Sequence, residues 1–199
     1  MLFFLTGDIQ TGKTRWMQAL IAELEAAGVC CAGVIAPGIW REHEGGFEKL
    51  GITNELLPSH ETITFAQRAD LAQQNGTFNA GSQAGQAKLG WAIDDAAIAQ
   101  VNAHFAHLQQ QEQPQKTLLI VDELGQLELK RGGGLTEAVA LLDEGPSEQM
   151  PHAIVIVRDW LLPLAQERFE PVWGPSTKLS PSEACRGTVL RVLLGEQRA

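Results

Sequence analysis

The feature that most constrains the fold is the segment GDIQTGKT at residues 7–14. The apolar run LFFLT at residues 2–6 precedes it and is typical of a fully buried strand. After it, apolar residues recur at helical spacing until Gly28, namely Trp16, Met17, Leu20, Ile21 and Leu24. The segment CCAGVIAP at residues 30–37 then predicts a second buried strand. A strand, a glycine loop, a helix and a strand in this order indicate a parallel α/β fold.

The glycine loop has the spacing Gly-x-x-x-x-Gly-Lys-Thr of a phosphate-binding loop, with a strand before it and a helix after it. Backbone N–H groups at a helix N-terminus bind phosphate oxygens, and glycine keeps side chains out of their way. Lys13 is predicted to reach the β- and γ-phosphates, and the Thr14 hydroxyl to ligate Mg²⁺. The predicted nucleotide-binding residues are Gly7, Asp8, Ile9, Gln10, Thr11, Gly12, Lys13, Thr14 and Arg15.

A second apolar run, in LLIVDELG at residues 118–125, ends in the carboxylates Asp122 and Glu123. Asp122 is predicted to hold Mg²⁺ through water. Glu123 comes directly after it, which suits a residue that orients and deprotonates an attacking water. The alternative is an acidic cap on a helix that follows the strand. With the glycine loop upstream, hydrolysis is the chemistry that the pair favours.

The remaining segments predict one domain over residues 1–199. Residues 40–67 read as the short strands of an inserted hairpin or meander, and residues 70–90 as a loop beside the site or a solvated linker. A helix is predicted through Ile93, Ala97, Val101, Phe105 and Leu108, and further helices in 135–144 and 161–169. HAIVIVRD at 152–159 predicts a buried strand, and VLRVLL at 189–194 a last strand.

Composition excludes some classes of protein. The net charge of −9 disfavours nucleic-acid binding. No apolar run reaches the roughly 18 residues of a membrane span, and MLFF has no basic flank, so we expect a cytoplasmic protein. Three cysteines without a CxxC pair predict neither a disulfide framework nor a zinc site. His104 and His107 are one helical turn apart but have no third ligand nearby, so they are interpreted as surface or packing residues.

Taken together, LTGDIQTGKT, GVIAP, GGFEKLGI and IVDELGQLEL resemble the THEP1-type nucleoside triphosphatases over most of the chain. The last segment is similar to the family's Asp-Glu-φ-Gly-x-φ-Glu pattern, carried by Asp122, Glu123, Gly125 and Glu128. The resemblance implies a three-layer P-loop NTPase fold with a RecA-like, mostly parallel central sheet. It also implies hydrolysis of several nucleoside triphosphates (ATP, GTP or others) with Mg²⁺.

Three positions are notable within this resemblance. The family usually carries Gly in the middle of the loop, where this chain has Gln10, and that side chain would either position water or face solvent. A basic residue follows the next strand in the family, and Arg158 falls there. Arg158 is interpreted as a catalytic arginine that stabilises transition-state charge, or as half of a salt bridge with Asp159 or a neighbour. Glu128 would either act in the site or lie on a solvated face.

Three other functions compete with hydrolysis. A nucleotide or small-molecule kinase would need an acceptor pocket and usually a basic lid, but the arginines are scattered. A regulatory GTPase would need an Asn-Lys-x-Asp segment, which the sequence lacks. A nucleotide-dependent accessory protein acting on another partner stays open. We expect a nucleoside-triphosphate hydrolase with Lys13, Glu123 and Arg158 as catalytic residues and Thr14 and Asp122 at the metal.

Overall fold

One sheet of nine strands runs through the part of the chain described by this computed structural model, residues 1–114 and 116–195. The strands are β1 Leu2–Leu5, β2 Cys31–Ile35, β3 Gly38–His43, β4 Gly46–Leu57, β5 Glu61–Arg68, β6 Trp91–Ile93, β7 Leu118–Leu124, β8 His152–Val157 and β9 Thr177–Leu179. The helices are α1 Lys13–Ala26, α2 Ala69–Gln74, α3 Gln83–Gln86, α4 Asp95–Gln110, α5 Thr136–Asp143, α6 Leu162–Trp173 and α7 Glu183–Leu194.

The centre of the sheet is parallel, in the order β2-β7-β8-β1-β9. The antiparallel strands β4, β5 and β6 extend it beyond β2, and β3 pairs with the outer end of β4. All four antiparallel strands lie between β2 and β7 in the chain, so the predicted inserted meander is confirmed. One strand, β8, lies between the loop-bearing strand β1 and β7, and the carboxyl ends of all three open onto the same edge.

Alternating side chains of the parallel strands face two helical layers, because successive strand residues point to opposite faces. On one face, Phe3, Leu5 and Ile120 pack with α1 and α7. On the other, Phe4, Val121 and Val155 pack with α4, α5 and α6. These strand residues are fully buried, which explains their continuous apolar sequence. The predicted three-layer α/β fold is confirmed.

Three of the sequence predictions are wrong in detail. Residues 70–90 contain the helices α2 and α3 rather than a continuous loop. Ile93 belongs to β6 and not to the helix, because Asp94 caps α4 by accepting a hydrogen bond from Ala96 N. VLRVLL is the end of α7, whose Ser182 cap accepts from Cys185 N, and the last strand is instead β9.

None of the helices in residues 1–114 and 116–195 combines the length and the apolar character needed to cross a bilayer.

Candidate active site

The loop of residues 7–12 leaves the carboxyl end of β1 and curls around the ammonium group of Lys13. Lys13 Nζ donates hydrogen bonds to the carbonyl oxygens of Gly7 and Asp8, both at 2.7 Å. Thr11 Oγ1 donates to the Asp8 carbonyl at 2.9 Å. Helix α1 starts at Lys13 and has no side-chain cap, because its N-cap residue is Gly12. Its first-turn N–H groups therefore point toward the loop and are suited to an anion.

The loop needs backbone conformations that glycine adopts easily. Gly7 has φ 139° and Gly12 has φ 88°. Gln10 also lies in the left-handed region, at φ 63°. A non-glycine residue there carries roughly 1–3 kcal/mol of strain. Glycine adopts this conformation without strain, which explains why the family that the sequence resembles usually has glycine at this position. The Gln10 side chain itself is exposed.

A direct hydrogen bond joins the loop helix to the strand that carries the carboxylates. Thr14 Oγ1 donates to Asp122 Oδ2 at 3.1 Å, and Ala36 N donates to the same oxygen at 3.1 Å. Residues from the carboxyl ends of β2 and β7 and from the start of α1 therefore meet at one atom. These side-chain oxygens are hard ligands of the kind that Mg²⁺ prefers.

Burial sets the chemistry of Asp122, which is only 5% exposed. Loss of hydration raises the pKa of its carboxyl to about 6, against the lowering effect of the hydrogen bonds from Ala36 N and Thr14. The neighbouring Glu123 carboxylate raises this pKa further. A divalent cation would supply the positive charge that is missing among the direct hydrogen-bond partners of Asp122. The donor set thus fits the metal that P-loop NTPases generally use.

Glu123 lies at the same strand end but is partly exposed, and it pairs with Arg158. Arg158 Nε donates to Glu123 Oε1 at 2.7 Å. The salt bridge to Asp159 that sequence reasoning considered is not formed, because Asp159 accepts from Lys178 Nζ at 2.7 Å. Arg158 follows β8, the neighbour of β7, so strand pairing brings the two side chains together.

Glu128 does not lie on a solvated face, because its side chain is buried. Its carboxylate accepts hydrogen bonds from Gly125 N at 2.8 Å and Leu135 N at 3.0 Å. Burial raises its pKa, and the two N–H groups act in the opposite direction. Glu128 therefore fixes the π-helical turn Leu127–Arg131 that follows the carboxylate pair.

A cleft of about 1070 Å³ separates the glycine loop from the inserted meander. The whole predicted binding segment, residues 7–15, lines one side, together with Glu123 and Arg158. The other side carries residues that sequence reasoning did not assign to the site: Trp40, Phe47, Lys49, Arg68 and Trp91. The feature of the sequence that could have indicated these residues is the aromatic and basic content of the insertion.

The loop, the buried aspartate and the three-layer fold together define a P-loop nucleotide-binding protein. A family model described as NTPase matches residues 2–145, and the chain belongs to this family. The fold is similar to the solution structure of a human cancer-related nucleoside triphosphatase, with a TM-score of 0.59 and 13% identity over 98% of each chain. The sequence matches none of the curated proteins with which it was compared. Family membership supports nucleoside-triphosphate hydrolysis as the general activity.

Proposed function

We propose that the protein hydrolyses nucleoside triphosphates in complex with Mg²⁺, releasing a nucleoside diphosphate and phosphate, with water activated by Glu123. The observation that carries the proposal is the 3.1 Å hydrogen bond from Thr14 Oγ1 to Asp122 Oδ2. It joins the phosphate-binding loop to the strand end that bears the carboxylates. This contact supports the interpretation that the glycine loop and the carboxylate segment, which are far apart in the sequence, belong to the same site.

In this proposal the binding segment, residues 7–15, holds the triphosphate. Lys13 would exchange its bonds to the Gly7 and Asp8 carbonyls for bonds to β- and γ-phosphate oxygens, because ionised phosphate oxygens are stronger acceptors for an ammonium group than neutral carbonyl oxygens. Thr14 and Asp122 would hold Mg²⁺. The bound cation would neutralise charge on the β- and γ-phosphates.

Glu123 and Arg158 act on the side of the γ-phosphate from which water attacks, opposite the bridging oxygen. Arg158 occupies Glu123 Oε1, which leaves Oε2 to accept a proton from water. As the water oxygen bonds to the γ-phosphorus, the bond from that phosphorus to the bridging oxygen breaks. The bridging oxygen keeps the electron pair and leaves with the diphosphate. The proton passes to Glu123 and then to the phosphate product, while the Arg158 cation, paired with Glu123, would stabilise transition-state charge.

The testing experiment measures phosphate release from a nucleoside triphosphate, with no organic acceptor present. We predict turnover with Mg²⁺, and loss of turnover in excess EDTA and in Lys13→Ala, which removes the cation from the phosphates. Arg191→Ala, which changes an exposed residue on α7, is the matched control and keeps wild-type turnover. Turnover of Lys13→Ala near the wild-type rate would refute the assignment. Phosphate release that requires an added acceptor would instead indicate a kinase.

A further inference from the structure

Lys49 is a cation of the inserted meander that faces the proposed catalytic carboxylates. It lies on β4 and lines the wall of the cleft opposite the glycine loop. It also lines an adjoining cavity of about 410 Å³ together with Thr14, Asp122, Glu123 and Arg158. This is the end of the cleft at which the proposed metal and attacking water would lie.

The Lys49 side chain is held in position by its neighbours. A Cβ atom placed on Gly38 would be 2.7 Å from Lys49 Cε and 2.6 Å from Trp40 Nε1. The stem of Lys49 therefore packs onto the bare backbone of Gly38. Lys49 Nζ lies 5.2 Å from the centroid of the Trp91 ring, within the range of a cation–π contact. Two strands of the insertion thus aim the ammonium group into the cleft.

Three other cations that line the cleft have oxygen partners, and a fourth, Arg15, is exposed on α1. Lys13 bonds to loop carbonyls, Arg158 to Glu123, and Arg68 to Glu48 and Asp70. Among the residues that the structure describes, Lys49 Nζ makes no hydrogen bond or ion pair. Partial burial lowers its pKa, and Asp122 and Glu123 act against that effect. A half-buried ammonium whose neighbour is an aromatic face gains from an anionic ligand.

We propose that Lys49 contacts the terminal phosphate of the bound nucleotide and stabilises the charge on its oxygens during hydrolysis. The inference rests on the proposed function, and it extends the site from the loop and strand ends to the inserted meander. The γ-phosphate is the phosphate concerned because Lys49 lines the same cavity as Asp122 and Glu123, where the attacking water would lie. In phosphoryl transfer the charge is spread over the equatorial oxygens of this group, and a positioned cation stabilises it there.

The test uses Lys49→Met, which removes the charge, and Lys49→Arg, which keeps it. Arg41→Met is the matched control, because Arg41 lies on the same hairpin, is 60% exposed and does not line the cleft. We expect Lys49→Met to lower the single-turnover hydrolysis rate by about 10²-fold. Its affinity for a nucleoside diphosphate should stay within about twofold of wild type, since a diphosphate has no terminal phosphate of this kind. Lys49→Arg should recover part of the rate, and Arg41→Met should behave as wild type.

Wild-type hydrolysis by Lys49→Met would overturn the proposal, as would an equal loss of affinity for di- and triphosphate. A second measurement needs no variant: acetylation of Lys49 in the wild-type protein, followed by mass spectrometry. A β,γ-imido triphosphate with Mg²⁺ should protect Lys49, whereas the diphosphate should not, and equal protection by both would overturn the proposal. If the triphosphate analogue protects Lys49 but the protein releases no phosphate from triphosphates, the contact between Lys49 and the terminal phosphate is supported and the proposed hydrolysis is rejected.

Discussion

At the scale of single residues, Glu128 shows how a carboxylate in a family pattern can be structural. It is buried and accepts from two backbone N–H groups, those of Gly125 and Leu135. The sequence places it near Asp122 and Glu123 but does not reveal this burial, because the acceptor role depends on the π-helical turn that follows β7. Local backbone geometry therefore determines whether a polar residue of a family sequence pattern has a structural role.

We predict that Glu128→Ala lowers the free energy of unfolding by roughly 2–5 kcal/mol, since the buried N–H of Leu135 and the partly buried N–H of Gly125 both lose their acceptor. Chemical denaturation of the variant and the wild type measures this difference. Glu128→Gln should lose less, because its amide oxygen can still accept from one of the two donors. Glu148→Ala, at an exposed position, serves as the control and should change stability by less than about 0.5 kcal/mol. Equal stability of Glu128→Ala and wild type would contradict the role.

At the scale of elements, sequence patterns predict the parallel core well because its strands are buried on both faces. β1, β2, β7 and β8 are each built on a continuous apolar run, and β7 continues past its run through Asp122 and Glu123. The C-terminal VLRVLL is misread for a physical reason: its β-branched residues favour a strand. In the structure Val189 and Leu193, one helical turn apart, are buried, while Arg191 and Leu194 are exposed. That spacing is helical, but six residues are too few to separate the two periods.

A contact between elements also predicts a pH dependence. His60, in the turn between β4 and β5, lies 2.6 Å from Glu55 and 3.2 Å from Glu25 at the end of α1. The hydrogen bond to Glu55, with the nearby Glu25 charge, raises the pKa of His60. Since the folded pKa lies above the unfolded value, the stabilisation is complete below the unfolded pKa and is lost as the pH rises through the folded pKa.

We therefore expect His60→Asn to be less stable than wild type at about pH 5.5 and closer to it at about pH 8.5. The side chain is 47% exposed, so the difference should stay below about 1 kcal/mol. Denaturant unfolding of both proteins at the two pH values measures it. His107→Asn, at an exposed position on α4, should show no such change between the two pH values. A difference that grows with rising pH would contradict this assignment.

At the scale of the whole molecule, sequence reasoning identified the two halves of the candidate site, and the topology explains why they meet. Parallel strands end at the same edge of the sheet, so Thr14 and Asp122 come together although 108 positions separate them in the chain. The opposite wall was not predicted, since nothing in GGFEKLGI shows that β3 and β4 face the glycine loop. The organisation of residues 1–199 as one domain stays a prediction.

The shape of the cleft bears on base selectivity. The exposed aromatic side chains Trp40, Phe47 and Trp160 line it, and π faces accept every base with little discrimination. We predict kcat/KM values within about tenfold across purine and pyrimidine triphosphates, since tenfold needs only about 1.4 kcal/mol. Phosphate release from a panel of nucleoside triphosphates measures this. A thousandfold preference for one nucleotide would reveal a base-specific contact that this account lacks.

The central claim is that Glu123 activates water at a site assembled by Lys13, Thr14 and Asp122. Glu123→Gln keeps the side-chain shape and removes the basic carboxylate. Calorimetry of triphosphate binding with Mg²⁺, paired with single-turnover hydrolysis by the same protein, separates binding from chemistry. We predict binding within about threefold of wild type and a hydrolysis rate lower by roughly 10²–10⁴-fold. Normal hydrolysis, or loss of binding together with hydrolysis, would contradict the claim.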